Sequence, residues 1–257
     1  MKSHKIFALS LIVLTLGFCA SAMAQDFTGF YVGGTGGGNF GHARVDTSPI
    51  FSPTGYFATT STPAITNASN QDISPKKYTF GGQIGYNRQW NNFVFGVEAD
   101  FSTMGMDSSV TATQTYPCCA PTAFTVVQTA KTNWMFNIRP RTGFVVGGKT
   151  LFYGTAGVAF TGVQYSGLFT DTFATAHENA SLDQNKAGWI VGGGIEYRLN
   201  HHWSIKGEYL YAGFSPGSVT STNLTAFTPP IAFPTNVFTH SIEVKAQLPR
   251  GGVNFRF

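Results

Sequence analysis

The chain has 257 residues, of which 16 are Lys or Arg and 12 are Asp or Glu, while 24 are Phe, 10 are Tyr, 4 are Trp and 30 are Gly. The formal net charge is +4, and charged residues make up 11% of the sequence, well below the roughly 25% of a typical soluble domain. The aromatic content excludes intrinsic disorder, and the 12 prolines and scattered glycines disfavour long helices. Two classes remain, a soluble all-β protein and an all-β membrane protein.

The N-terminus has the pattern of a secretory signal peptide. Two lysines precede the apolar run Ile6–Ala20, and small residues follow as far as Ala24. We expect cleavage near Ala24, which separates a signal peptide over residues 1–24 from a mature domain over residues 25–257. The apolar run is shorter than the roughly 20 residues of a membrane-spanning helix, and no later segment is long and apolar enough to form one. Any membrane-spanning part of the mature chain must therefore be built from strands.

Apolar residues then recur with period two, which predicts strands that have one apolar face and one polar or small face. The first predicted strand, about Phe27–Gly41, is rich in glycine. The second and third strands meet at a two-residue turn, which places Trp90 opposite Phe93. Both residues lie on the apolar face of their strand, so the turn length and the face pattern agree on one hairpin.

The alternation continues in the fourth predicted strand and weakens in the fifth. In the fourth strand, parity separates Trp134 and Phe136 from Asn133 and Arg139. This division again gives one aromatic face and one polar face. The fifth strand, about Leu151–Val163, alternates too weakly for its faces to be assigned.

A three-residue turn joins the sixth predicted strand to the seventh. We expect Leu199 to face Trp203 across this turn. The resulting register places Glu196 directly opposite Lys206, which predicts a favourable cross-strand ion pair. The eighth strand ends the chain, and Pro249 predicts that its regular pairing starts only near that residue.

The links between the predicted strands alternate in length. Short links follow strands two, four and six, whereas long links rich in Ser, Thr, Ala and Pro follow the odd-numbered strands. This asymmetry and the even number of strands are typical of bacterial outer-membrane barrels. We therefore predict an all-β fold, an eight-stranded antiparallel up-and-down transmembrane β-barrel with short periplasmic turns and long extracellular loops. The predicted long links are residues 42–77, 103–130, 164–186 and 212–246.

The period-two pattern alone also fits a soluble barrel whose apolar face points inward. The charges favour the membrane barrel, because the polar faces of the assigned strands hold only four acids and four bases. Such a set can neutralise itself inside a narrow lumen, whereas an exterior in water needs many more charges. We therefore predict lipid outside and a structural charge network inside. Its members are Glu98, Asp100, Arg139, Arg141, Glu196, Arg198, Lys206 and Glu208.

Aromatic residues lie near both ends of the predicted strands, as in the interface girdles of membrane barrels. Arg88 shares the apolar face, but it is close to a turn, where its side chain can reach the lipid head groups. The predicted girdle residues are Trp90, Phe93 and Trp203 at the short-turn end and Trp134, Trp189 and Tyr211 at the long-loop end.

Few other residues indicate chemistry. Cys118 and Cys119 could form a strained vicinal disulfide or pair between molecules in an oxidising compartment. His42, His177 and His240 could converge with a serine for lipid hydrolysis, although no spacing singles out a triad. We therefore predict no catalytic residue, no metal site and no cofactor, and we expect no nucleic-acid partner.

Five short motifs follow one another along the predicted strands: FTGFYVGG at 27–34, GQIGYN at 82–87, GVEAD at 96–100, WSIKGEYLY at 203–211 and GVNFRF at 252–257. Together they resemble the small outer-membrane immunogenic proteins of alphaproteobacteria, opacity-type eight-stranded barrels sometimes labelled porins. The resemblance covers most of the strands and implies the outer membrane of a Gram-negative bacterium. It also implies that the terminal Phe257 is the signal by which the chain is handed to the barrel-assembly machinery.

The barrel pattern and the resemblance favour a non-enzymatic outer-membrane β-barrel that is structural in the envelope and exposes its loops as an immunogen or adhesin. Two alternatives stay open, a narrow or gated porin for small solutes and a lipid-acting outer-membrane enzyme. The expected partners are outer-membrane lipid and lipopolysaccharide, the barrel-assembly machinery, and an unknown ligand on a host or cell surface.

Overall fold

Twelve strands and one short helix make up the part of the chain that the computed structural model describes, residues 26–257. The predicted signal peptide and its cleavage near Ala24 lie outside the described residues. Within residues 26–257, no helix has the length and hydropathy needed to cross a membrane. In chain order the elements are β1 Gly29–Pro49, α1 Ser61–Ser69, β2 Gln71–Ile73, β3 Lys76–Trp90, β4 Phe93–Thr115, β5 Ala123–Val146, β6 Thr150–Asp171, β7 His177–Arg198, β8 Trp203–Phe214, β9 Gly217–Ser221, β10 Thr225–Ala226, β11 Ile231–Ala232 and β12 Phe238–Arg256.

Eight long strands close into a ring in which all neighbouring strands are antiparallel. β1 pairs with β3, each strand from β3 to β7 pairs with the next, and β12 pairs with both β8 and β1. The predicted eight-stranded antiparallel up-and-down barrel is therefore confirmed. Of the short strands, β2 pairs with β1, β9 with β12, and β10 with both β7 and β11.

The predicted register of two hairpins is also confirmed. Trp90 pairs with Phe93, and Glu196 pairs with Lys206. Asn91 lies in the first of these turns with a φ of 53°, a left-handed conformation that Asn tolerates better than most residues. The short turns and the chain end lie together, since the Phe257 N–H donates to a β1 carbonyl over 3.1 Å.

The apolar face of each strand points outward in the lower part of the barrel, which is the part next to the short turns. Phe95 is 54% exposed and Ile205 is 44% exposed, whereas Glu98 and Arg139 are only 2% and 1% exposed. A soluble barrel would show the opposite arrangement. Outward apolar segments such as Phe93–Phe101 match the roughly 9–11 residues that a tilted strand needs to cross a bilayer, so the lower part of the barrel is the membrane-spanning band.

Beyond this band, on the side away from the short turns, the outer face of the strands becomes polar and the inner face becomes apolar. On β4, Thr111 and Thr113 point outward and are exposed, while on β5 the inward-facing Phe124 and Val126 are buried. The strands therefore continue beyond the lipid as polar-surfaced hairpins with an apolar interior. Threonine suits such strands because its β-branched side chain fits a pleated surface.

The predicted long links over 103–130 and 164–186 are consequently wrong in extent. Most of each segment is strand, and only residues 116–122 and 172–176 connect β4 to β5 and β6 to β7. The error has a physical reason, because a hydrophobic outer face marks a strand only where lipid surrounds it. The other two links remain irregular in part, with α1 and β2 in one and β9 to β11 in the other.

Two local predictions also need correction. Asn133, expected inside, is exposed, because a bulge near it brings both Thr132 and Met135 to the inward face. β12 begins at Phe238 rather than near Pro249, which pairs in register with β8. The ladder to β1 is interrupted at Pro249, where the missing N–H is tolerated.

The interior is stacked in layers along the barrel axis. A small apolar floor lies at the short-turn end and includes Phe27 and Leu151. The charged residues come next, and a larger apolar layer that includes Met104, Met135 and Leu248 covers them. A third apolar cluster, which includes residues of α1, fills the extracellular part. Within residues 26–257 the charged layer is thus closed on both sides.

Candidate functional site: the charged barrel interior

Paired positions on β4 and β5 point the acids and bases of the interior toward one another. Glu98 and Asp100 are two residues apart, as are Arg139 and Arg141, so each pair shares the inward face of its strand. Glu98 lies directly opposite Arg139 in the register. All four side chains are at most 3% exposed.

Glu98 is the centre of the network. Its carboxylate accepts hydrogen bonds from Arg139 Nη2, from Arg141 Nη1 at 3.4 Å and from Lys206 Nζ at 3.3 Å. The Tyr31 hydroxyl donates to Oε2 over 2.7 Å. Burial of a carboxylate is tolerated only with such pairing, since an isolated buried charge is costly.

A second group of contacts forms around Glu208. Lys206 Nζ lies 3.0 Å and Arg250 Nε 2.7 Å from Oε1, and the Tyr153 hydroxyl donates to Oε2 over 3.1 Å. Arg250 also reaches Asp100 at 3.1 Å, which links this group to β4. Residues from four strands are therefore tied together across the lumen.

Glu196 has different partners from those expected. Although Glu196 and Lys206 occupy opposite positions, no ion pair joins them. Glu196 instead accepts from Arg141 Nη2 at 2.7 Å and from Ser204 Oγ at 2.7 Å, and Arg256 Nη2 lies 3.4 Å away. The predicted ion pair is wrong because a narrow closed barrel offers partners on non-adjacent strands, which a hairpin alone does not reveal.

The interior also holds more positive charge than expected. Arg250 and Arg256 on β12 were not among the predicted members, yet both are at most 5% exposed. Both arginines have even residue numbers, like the buried Asn254 on the same strand. This alternation is the feature of the sequence that indicates an inward-facing side chain. In the membrane-spanning part of the interior six bases thus face four acids: Arg139, Arg141, Arg198, Lys206, Arg250 and Arg256 against Glu98, Asp100, Glu196 and Glu208.

Arg198 lies apart from the main network, at the short-turn end. Its guanidinium is 5.4 Å from the Phe27 ring centroid and donates to the carbonyl oxygen of Asp26. Arg256 approaches the same ring at 5.1 Å and the same carbonyl at 3.3 Å. Together they hold the N-terminal segment of the described chain across this end of the lumen, with Phe27 completely buried.

The predicted girdle residues lie on the outer wall at the two expected levels. Trp90, Phe93 and Trp203 are exposed at the short-turn end. At the other end Trp189 is exposed, with its ring 5.4 Å from that of Tyr211. Trp134 is half-buried and stacks on a neighbouring phenylalanine at 6.2 Å.

The extracellular hairpins meet around Asp171. The hydroxyls of Tyr56 and Tyr116 donate to its Oδ2 over 2.6 and 3.0 Å. Burial raises the pKa of the Tyr116 hydroxyl, and the negative charge of Asp171 raises it further, so this tyrosine stays a neutral donor. Cys118 and Cys119 form a vicinal disulfide in the neighbouring turn, which selects the intramolecular one of the two expected pairings.

The three loop histidines do not converge on one site. His240 points inward, with Glu178 3.4 Å from Nε2 and the hydroxyls of Thr47 and Tyr165 2.9 and 3.0 Å from Nδ1. His42 is outside the barrel. Among residues 26–257, no group of three or more metal-ligating side chains is gathered in one place.

His42 has a contact set of its own. Ser74 Oγ lies 3.2 Å from Nδ1, and Asp72 Oδ1 lies 3.4 Å from Nε2. The order serine, histidine, aspartate is that of an acyl-transfer triad, but the two ring nitrogens are exchanged, because in a Ser-His-Asp triad the serine contacts Nε2 and the carboxylate contacts Nδ1. The side chains of His42 and Asp72 are about half exposed, and the nearby Gly41 N–H already donates to Pro75 O, so it is not free to stabilise an oxyanion.

Known proteins resemble this chain in sequence and in fold. The family model "Outer membrane protein beta-barrel domain" matches residues 10–228. The 31 kDa outer-membrane immunogenic protein of Brucella melitensis is 28% identical over 187 residues, which cover 72% of this chain and 69% of that protein. The 22 kDa outer membrane protein of Rhizobium leguminosarum bv. viciae is 30% identical over 139 residues, or 53% of this chain and 54% of that protein.

Solved barrels align over most of the chain at low similarity. Ail, the attachment invasion locus protein of Yersinia pestis, aligns with a TM-score of 0.32 and 11% identity, covering 87% of this chain and 99% of that chain. Neisserial surface protein A aligns with a TM-score of 0.30 and 13% identity, covering 90% of this chain and 98% of that chain.

Proposed function

Since the chain belongs to the outer membrane protein β-barrel domain family and is located in the outer membrane of a Gram-negative bacterium, we propose that it is a closed, non-enzymatic barrel. In this proposal it stabilises the envelope and carries an extracellular platform. The filled interior is the observation that supports the proposal most. The charged layer is sealed by Phe27 below and by side chains such as Met104 and Leu248 above, each fully buried.

A filled interior favours closure over conduction. Eight strands leave a lumen that side chains can fill, and here buried ion pairs tie β4, β5, β8 and β12 together across it. An ion crossing this layer would have to break those pairs and also pass the apolar layer above them. The alternative of a narrow or gated porin requires that both layers move.

Single-channel recording tests this proposal. We expect the purified barrel, inserted into planar bilayers, to give no discrete current steps at moderate voltage. A porin of known conductance, inserted from the same detergent, checks that the bilayer reports insertion. Reproducible steps from the wild-type chain would contradict the closed barrel and support the porin alternative.

The extracellular hairpins supply the proposed platform. β4 and β5 continue well beyond the membrane band, and Phe57 and Ile65 of the first link pack between the hairpins as buried residues. The Brucella relative is named an immunogenic protein. We propose that the extracellular hairpins of this chain are exposed at the cell surface in the same way. Antibodies against the turn at residues 116–122 test this proposal. Binding to intact cells is expected, and binding only after permeabilisation would contradict it.

The contact set of His42 is the observation behind a second candidate function, that of a lipid-acting enzyme. If Ser74 were a nucleophile activated by His42, a fluorophosphonate would label it, and His42→Ala would abolish the labelling. The exposure of the set and the occupied Gly41 N–H favour a surface hydrogen-bond cluster instead. Absence of labelling supports the non-enzymatic proposal, and His42-dependent labelling of Ser74 would replace it.

A further inference from the structure

The tips of the extracellular hairpins enclose a small pocket, the tip pocket. The first link, the turn at residues 116–122 and the turn at residues 172–176 contribute its walls. Phe173 is 54% exposed and Cys118 is also exposed, so the pocket opens to solvent at the extracellular end. It holds about 140 Å³ of free space, and aromatic rings and the vicinal disulfide form most of its lining: Tyr56, Phe57, Tyr116, Phe173, Cys118 and Cys119.

Hydrogen bonds fix the two tyrosines of the lining before any ligand binds. Both hydroxyls donate to Asp171 Oδ2, and the other carboxylate oxygen accepts from the backbone N–H of Ala176 at 2.8 Å. The Tyr56 ring also packs edge to face on the buried Phe57, with 5.2 Å between the ring centroids. A preformed site loses little conformational freedom on binding, which favours affinity.

The lining selects a neutral ligand with few polar atoms. None of the described residues that line the tip pocket carries a charge, so an ionised ligand would lose its hydration without gaining a partner. The tyrosine hydroxyls already donate to Asp171, and Ser61 Oγ lies 3.7 Å from Cys118 Sγ. A sugar would leave most of its hydroxyls unpaired in such a pocket, and an unpaired buried hydroxyl is costly.

The size of the tip pocket restricts the ligand to one ring. An apolar cavity of roughly 150 Å³ accommodates benzene, and the tip pocket has about that volume. Aromatic rings pack favourably edge to face against one another, and divalent sulfur makes favourable contacts with the edges of such rings. An aliphatic ring of the same size would lose both kinds of contact.

We propose that the tip pocket binds a small neutral molecule that carries a single aromatic ring. This binding site goes beyond the closed barrel and its exposed hairpins. The inference rests on contacts within the extracellular part of the protein and not on the closure of the lumen or on the access of antibodies. The conductance and antibody experiments can therefore fail without affecting it.

Titration of the detergent-solubilised barrel with toluene tests the site. Fluorine NMR of protein labelled with fluorotyrosine follows Tyr56 and Tyr116 separately from Tyr78, which is 80% exposed on the outer wall and reports toluene dissolved in the detergent. Tyrosine-to-phenylalanine variants assign the three signals. We expect saturable shifts at Tyr56 and Tyr116 and at most a linear change at Tyr78. Methylcyclohexane and benzoate should bind roughly tenfold more weakly than toluene, because the first lacks the aromatic contacts and the second is charged.

Two variants remove parts of the lining, and a third serves as the matched control. We expect toluene to bind roughly tenfold more weakly to Phe173→Ala and roughly two- to tenfold more weakly to Cys118→Ala/Cys119→Ala, which lose an aromatic and a sulfur–aromatic contact. Phe51 is also an exposed phenylalanine of the extracellular part, but it does not line the pocket. Phe51→Ala should therefore bind as the wild type does, and heat-modifiable gel migration checks that each variant is folded.

Four results would overturn the proposal. Linear and equal shifts at all three tyrosines would mean that toluene only dissolves in the detergent. Wild-type affinity in both pocket variants, or an equal loss in Phe51→Ala, would place the ligand elsewhere. Equal binding of methylcyclohexane or benzoate would contradict a preference for a neutral aromatic ring.

Discussion

Glu98 pairs with three of the six buried bases. Its replacement by Gln leaves Arg139, Arg141 and Lys206 without their shared negative charge. We expect Glu98→Gln to lower the free energy of unfolding by roughly 3–5 kcal/mol, the usual cost of breaking a buried pair by removing one partner. Urea-induced unfolding in lipid vesicles measures this quantity.

Asp107 offers the matched control for this change, because its pair with Lys131 is exposed, with side chains 57% and 43% accessible. Asp107→Asn should cost at most about 1 kcal/mol. Similar losses for the two substitutions would mean that the interior carboxylate contributes no more than a surface one.

A second comparison of single residues tests whether Arg141 or Lys206 is the partner of Glu196. We expect Arg141→Ala and Glu196→Ala to be strongly non-additive, with a coupling energy of roughly 1–3 kcal/mol, because their side chains are 2.7 Å apart. The opposite-strand combination Glu196→Ala and Lys206→Ala should show a clearly smaller coupling. Double-mutant cycles on unfolding free energies measure both, and the reverse ranking would restore the cross-strand pair that the sequence predicted.

At the scale of single strands, the exchange of face polarity along β4 sets the edge of the membrane. Val97 and Thr111 both point outward, but only Val97 lies in the apolar band. We expect Val97→Lys to cost roughly 2–4 kcal/mol in vesicles, while Thr111→Lys costs about 0–1 kcal/mol. Equal costs would place the band elsewhere on the strand.

The last strand carries a prediction about assembly. We propose that Phe257 is read by the barrel-assembly machinery, since it is exposed at the end of β12. Deletion of Phe257 should strongly reduce the folded barrel in outer-membrane fractions, whereas Phe257→Tyr should retain it. Refolding into detergent should proceed without Phe257. Equal loss in cells and in detergent would mean that the residue stabilises the barrel rather than directing it.

The strands show what a sequence can and cannot predict about this protein. Period and turn length predict the single strands and the Trp90–Phe93 register, because both depend on residues that are close in sequence. The closed ring is predicted from the even number of strands and the alternating link lengths. The extracellular extensions of β4 to β7 were missed, since their outer faces lose the apolar signal outside lipid. The burial of Arg250 was not predicted, because this residue directly follows Pro249, where regular pairing was expected only to begin. The choice of partners across the lumen was not predicted either, because it depends on strands that are distant in sequence.

For the whole molecule, two environments explain the arrangement of side chains. Lipid requires an apolar exterior and forces the charged residues inward, where a narrow lumen pairs them. Water outside the membrane allows the reverse, and the hairpins there bury apolar side chains such as Phe124 and Phe169. The same strands thus support a sealed membrane barrel and a packed extracellular part.

The four tryptophans of the chain provide the most direct measurement of this orientation. Trp90, Trp134, Trp189 and Trp203 all lie on the outer wall near the ends of the band. In vesicles, phospholipids brominated high on their acyl chains should strongly quench the fluorescence, and aqueous acrylamide should quench it little. Fluorescence insensitive to brominated lipid would place these rings inside the barrel or in water, and would contradict the membrane orientation.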